Sequence, residues 1–268
     1  MSPRRDARGA RQLREPLCER WDVTGGGHNS FATGFQRRCQ RDMGRSVNEQ
    51  RIVVEVGPRG KKVVAVAQDW PGLERGAKTE SEALERLRDY VPRYMKVAKL
   101  AKRDEEFAGA TRVKVIERYP GTGSTDFWGI SFACSKVDRH VMSADELERE
   151  LSLMRACWTF FDRVRSSVSS EMQKGPRGGG RDRDRIVAHT IGAEQDFAKK
   201  LGIGAEYEQL ITEPKALKKY RDTYCAAIRQ HHADGAMARA WPLRYLIRHT
   251  AFHTMDHAWE MEDKDMSL

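Results

Sequence analysis

The sequence predicts a small α+β module followed by an all-α four-helix bundle. Three observations carry that expectation. Apolar residues alternate with period two between residues 51 and 67, the period turns helical from Ser143 onward, and the net charge of +9 is unevenly spread. Residues 1–50 hold ten arginines against six acids, residues 51–141 carry a net +5, and residues 142–268 balance to zero. A basic balance raises nucleic-acid binding as the first question. The helical half has no charge excess with which to hold a phosphate backbone, so nucleic acid is not expected there.

The longest aliphatic run, Val63 to Ala67, is far short of the roughly 20 residues that cross a bilayer. The first residues are arginine-rich with no apolar stretch behind them, so neither a secretory signal nor a membrane partner is expected, and the compartment reads as cytoplasmic. Five cysteines, odd in number and without a CxxC pair, fit reduced thiols in that compartment.

Taking the elements in order, residues 1–48 mix Arg, Gly, Ser and Gln without an apolar period and contain Gly25-Gly26-Gly27. A disordered basic tail is expected, either a solvated extension or a nucleic-acid-binding arm. Met43 offers an alternative start. Residues 49–141 form the small module. Ile52 to Val56 and Val63 to Ala67 flank Gly57-Pro58-Arg59-Gly60 as a β-hairpin. Asp69-Trp70-Pro71-Gly72 closes the second strand, and Thr79-Glu80-Ser81-Glu82 caps a helix that Pro92 ends or kinks. Val113 to Ile116 and Trp128 to Phe132 alternate as two further strands.

The hairpin, the Asp69-Trp70-Pro71-Gly72-Leu73 turn and the Gly76 to Leu84 helix start resemble the antitoxin-type HicB fold over about 45 residues. That resemblance implies a module able to recruit a protein or RNA partner, with the helices as a scaffold.

Residues 142–268 form the bundle. Ser143 and Glu146 box a helix whose core stripe is Leu147, Leu151, Met154, Trp158 and Phe161. A second helix opens at Asp182 and stops at Gly202, a third opens at Thr212 and Pro214 and ends at Asp234-Gly235, and a fourth runs from Pro242 to about Asp263. Short joints make four antiparallel neighbours.

On the fourth helix His249, His253 and His257 stand four apart, within an arc shared by Asp256 and Glu260. Arg244, Arg248 and Glu262 lie opposite. That charged arc is expected to face water, so the histidine arc faces the interior, where an imidazole needs a hydrogen bond or a metal. Two histidines four apart can share one divalent ion, and His189, on the inward arc of the second helix, is the candidate third ligand. A hydrogen-bonded histidine cluster without metal is the alternative. Asp256 or Glu260 can orient a histidine or take a proton. Lys174 to Arg181 reads either as a flexible interhelix loop or as an anion cradle in which Arg177 and Arg181 hold a cosubstrate carboxylate or phosphate.

Arg185-Ile186-Val187-Ala188-His189-Thr190-Ile191-Gly192-Ala193-Glu194, with His253-Thr254-Met255-Asp256-His257 some sixty residues later, resembles the DinB (damage-inducible) four-helix-bundle family and its thiol-transferase-like relatives over residues 142–264. The resemblance implies metal ligation by His189, His253 and His257 and has no counterpart for His249, of which a buried hydrogen-bonded role or support of a neighbouring ligand is expected more than ligation. Many members follow the last histidine with Gly-Gln, where this chain has Ala258-Trp259-Glu260. The implied activity is transfer of a low-molecular-weight thiol to a small electrophile, with metal-dependent hydrolysis as the alternative, Zn, Ni, Mn or Fe as the ion and a homodimer as the assembly.

Overall fold

A computed structural model describes residues 49–175 and 179–267 of the chain. The expected basic tail, Met43 and Arg177 lie outside the described residues.

The module begins with β1 (Glu49–Val56) and β2 (Val63–Ala67), an antiparallel pair with Val54 opposite Ala65. A third strand follows at once, β3 (Glu74–Ala77), antiparallel to β2 with Val63 opposite Ala77. The sequence assigns Gly76-Ala77 to a helix start, and the structure corrects this. Pairing along the open edge of β2 outweighs the low strand propensity of Glu-Arg-Gly-Ala.

The helix that follows, α1 (Glu80–Leu100), has Thr79 as its N-cap, accepting from the Glu82 amide as the sequence predicts. It does not end at Pro92. The helix continues for two turns because Tyr94, Val97 and Ala98 are buried beyond the proline, and tertiary packing carries it past the lost hydrogen bond.

After α2 (Asp104–Gly109), β4 (Arg112–Pro120) returns parallel to β1, giving the sheet order β3-β2-β1-β4. The strand expected at Trp128 to Phe132 is absent. Thr122 and Thr125 box a short helix, α3 (Gly123–Trp128), and Gly129 stops it in the left-handed region at φ +72°. The amides of Phe132 and Ala133, which a strand would commit to a ladder, donate to the buried Glu55 carboxylate at 3.0 and 3.1 Å.

The helical half contains the four expected helices: α4 (Ala144–Ser167), α5 (Arg183–Ala198), α7 (Pro214–Ala233) and α8 (Leu243–Asp263). A short α6 (Tyr207–Thr212), which the sequence reading missed, precedes α7. Thr212 therefore closes α6, and Glu213 stands at the cap of α7. Asp182 occupies the cap position of α5, yet its side chain pairs with Lys174 instead of the helix amides. Glu194 of α5 accepts from Arg221 of α7 at 3.0 Å with both side chains buried, and Tyr224 of α7 meets Thr250 of α8 at 3.0 Å.

The main hydrophobic core runs through sheet and helices without a break at residue 141, a second small cluster of Val53, Val64, Val66 and Tyr119 covers the other sheet face, and the described residues belong to one compact unit. The Asp69 to Gly72 turn makes the junction. Tyr94 donates to the Pro71 carbonyl at 2.7 Å, Arg149 of α4 donates to the Asp69 carbonyl at 2.6 Å, and the Arg149 guanidinium lies 4.7 Å from the Trp70 ring centroid. Gly72 has φ +96°, and a Cβ there would sit 2.9 Å from Met255 Cγ on α8 and 3.2 Å from Cys157 Sγ on α4. Only glycine combines that backbone with that approach.

The packing also overturns the orientation argued for α8. Its Arg244–Arg248 arc does not face water. Arg248 is 1% exposed and donates to Asp138 at 2.9 Å and to Glu74 at 3.1 Å, while Arg244 reaches Glu150 of α4 at 2.9 Å. Glu262, from the same arc, is partly buried and accepts from Arg93 and Lys96 of α1. The acids that neutralise this arc come from elements remote in sequence, so an amphipathic reading of α8 alone mistakes an ion-paired interior face for a solvated one.

Candidate metal centre

With its arginine arc buried, α8 turns His253 and His257 toward the side that remains partly open. His189 approaches them from the second turn of α5. The rotation of α5 is set by Ile186, Thr190 and Ile191, all fully buried, and by Tyr207 of α6, which donates to the Ala188 carbonyl at 2.8 Å. His189 is left exposed at the mouth of the cluster, a correction to the expectation that it is an interior residue.

The three rings form a compact triangle. Centroid separations are 5.1 Å for His189–His253, 4.8 Å for His189–His257 and 4.6 Å for His253–His257. One ligand nitrogen from each lies within 4.8 Å of the others. An ion bound at about 2.0–2.1 Å to each nitrogen needs them roughly 3.4 Å apart, so small side-chain rotations close the set.

At His189 and His253 the electrostatics favour the neutral imidazole. Although His189 is exposed at the rim, desolvation of its ring against the cluster, then the neighbouring His257 and Arg181, lower it to about 4, with Glu260 opposing. Burial and the surrounding histidines and Arg181 hold His253 well below the usual histidine range. Neutral imidazole is the form that ligates a metal, and the donor set therefore fits a borderline divalent ion.

Glu260 orients one ligand. Its Oε2 lies 2.7 Å from His257 Nδ1, and its Oε1 accepts from Lys264 at 2.5 Å. The hydrogen bond from His257 is the largest of the influences that push the Glu260 carboxyl down to about 2, with Lys264 adding to it and burial opposing. With Nδ1–H committed to Glu260, His257 presents Nε2 to the centre.

The other expected residues are placed as follows. Asp256 is not part of the triangle and accepts from Arg75 of β3 at 3.2 Å. Arg181 is exposed just before α5, near enough to act on His189 and His253. His249 is not part of the triangle. It is buried, hydrogen-bonded to the Ser131 backbone and stacked on Tyr245 at 5.3 Å, with Phe197 and Trp241 closing the pocket around it. Burial, reinforced by Arg248 and Lys200, lowers it to about 3.

Sequence reasoning missed Arg75. Its guanidinium sits 3.6 Å from the Tyr90 ring centroid and 4.2 Å from that of Trp259. Trp259 itself is 1% exposed and meets Tyr90 edge-on at 4.9 Å. The Ala258-Trp259-Glu260 segment thus serves two purposes, anchoring α8 to α1 and β3 and orienting His257. Adjacent Asp256 and Trp259 are the only local hint of Arg75, and neither names a partner 181 residues away in the chain.

Comparisons with family models, with curated proteins and with solved structures found no match for this chain. Among the described residues no helix is long and apolar enough to cross a membrane.

Proposed function

We propose that α4, α5, α7 and α8 form a DinB-like four-helix bundle and that the protein is a metal-dependent enzyme. In this reading it transfers a low-molecular-weight thiol to a small electrophile, with His189, His253 and His257 as ligands of one divalent ion. The observation that carries the proposal is the convergence of three imidazoles from two helices, one of them oriented by a carboxylate. Three imidazole ligands leave coordination positions free, as catalytic sites do and closed structural sites do not. A divalent ion held there would supply Lewis acidity, lowering the pKa of a thiol or water near neutral pH.

The chain's own groups have defined tasks in this scheme. Glu260 holds the His257 tautomer, and at a pKa of about 2 it stays ionised and does not shuttle protons near neutrality. Asp256 is occupied by Arg75 and acts on position, not as a base. Arg181, exposed beside His189, is placed to steer an anionic cosubstrate toward the centre. The exposed edge at His189 is the side from which a small molecule enters.

The test is metal analysis of the purified protein after loading with Zn, Ni, Mn or Fe and gel filtration. One equivalent is expected in the wild type, with loss in His253→Ala. Absence of metal from both proteins would leave a hydrogen-bonded histidine cluster and overturn the proposal.

A further inference from the structure

A cavity of about 740 Å³ lies between the C-terminal half of α4 and the first turns of α7. None of the clustered histidines lines it. Its volume is that of a small-molecule site.

The lining is cationic. Arg155, Arg163, Arg165, Lys218 and Arg221 contribute to it, against two carboxylates, Asp162 and Asp222. Both acids are shared. Asp222 pairs with Arg155 at 2.6 Å and with Lys218 at 2.8 Å, and Asp162 with Arg221 at 2.8 Å and with Arg165 at 3.5 Å. Buried Arg221 spends its remaining donors on Glu194. Positive charge is therefore left over, and the exposed Arg163 has no ion-pair or hydrogen-bond partner among the described residues.

The hydroxyls do not dilute this. Thr159, Ser166 and Ser167 each donate to a carbonyl of their own helix, at 2.9, 2.8 and 3.0 Å. Donation into the cavity thus falls to guanidinium and ammonium groups, which select anions. Trp158, Pro214 and Leu217 supply apolar surface. The Trp158 indole is 3% exposed, so it offers the cavity an edge of apolar surface and no hydrogen-bond donor. Pro214 opens α7 with no side-chain cap, so the positive end of a 20-residue helix adds to the field.

We propose that the α4–α7 cavity is a binding site for an amphiphilic organic anion, a carboxylate or phosphate carried on a flat apolar body. The site stands independently of the metal centre.

The test is isothermal titration of the full chain with 1-naphthyl phosphate, 1-naphthoate, 1-naphthol and inorganic phosphate. One saturable site is expected for 1-naphthyl phosphate or 1-naphthoate, the stronger of the two naming the headgroup. Neutral 1-naphthol and inorganic phosphate should each bind about tenfold more weakly or worse, since each lacks half of the recognition. Arg163→Glu, at an exposed and unpaired position, should keep the far-ultraviolet dichroism of the wild type and weaken binding about tenfold or more. His253→Ala should leave it unchanged. Equal affinity in Arg163→Glu, loss of binding in His253→Ala, equal binding of 1-naphthol, or no saturable binding of either naphthyl anion would overturn the proposal.

Discussion

Glu260 accepts from His257 Nδ1 at 2.7 Å and is itself held by Lys264, so the ligand atom of His257 is fixed before any ion arrives. Removing the carboxylate charge while keeping its volume isolates that contribution. Glu260→Gln should weaken metal binding about 10–100-fold, read by competition with a chromophoric chelator, with secondary structure unchanged. An unchanged affinity would show that the carboxylate does not tune the site. At this scale much was legible in the sequence: a His-x-x-x-His pair places two rings on one side of a helix, and Glu260 follows His257 by three residues, the spacing at which side chains on a helix meet. Arg75 was not legible, because its contact with Asp256 depends on how β3 meets α8, and nothing in either segment encodes that meeting.

For α8 as an element, the decisive feature is that its charged arc is neutralised inside the protein. Arg248 lies between Asp138 and Glu74, both buried. Burial pushes the Asp138 carboxyl up, but Arg248, the Ser135 amide and Gln68 together outweigh it and hold it below its ordinary value. Glu74 goes the other way: burial, opposed by Arg248, raises it to about 8. Arg248→Met should therefore cost about 3–5 kcal/mol in urea unfolding, since it strands a buried carboxylate. A loss below about 1 kcal/mol would show that Asp138 is solvated or repaired. The pH dependence follows from Glu74. A carboxyl whose folded pKa exceeds its unfolded value binds more protons in the folded state, so its contribution is full below about 4.5 and is lost as pH rises through about 8. Glu74→Gln should remove that part of the decline, flattening stability between pH 5 and pH 8.5 relative to wild type. An unchanged slope would assign the decline to other groups. The helix itself was legible from Pro242 and its apolar period, but its orientation was not, because the sequence of α8 cannot distinguish water from buried acids as the partner of an arginine.

Across the described residues, sheet and helices share the main core, joined where the Asp69 to Gly72 turn enters between α4 and α8. Thermal and urea unfolding should each give one transition, with tryptophan fluorescence and far-ultraviolet dichroism coinciding; separated transitions would show that the module and the helices unfold independently. Gly72→Ala combines a left-handed backbone with a 2.9 Å approach to Met255, and should lower stability by about 2 kcal/mol or more. The capped starts of α1 and α4 and the hairpin were legible because local chemistry decides them. β3 and the loss of the expected strand at Trp128 were not, since the first needs the edge of β2 and the second answers to Glu55.

The late place of α8 in the chain has a consequence for biosynthesis. Glu74, Asp138 and Glu150 are made long before the arginines that neutralise them, and the Trp70 turn is made before the helix that covers it. Chain elongation at about 5–20 residues per second gives the nascent polypeptide a window of several seconds or more in which this sheet and these acids have no closing helix. Ribosome-bound chains halted before residue 243 should remain protease-sensitive throughout residues 49–242, and protection should arise only once the segment through residue 263 has cleared the exit tunnel.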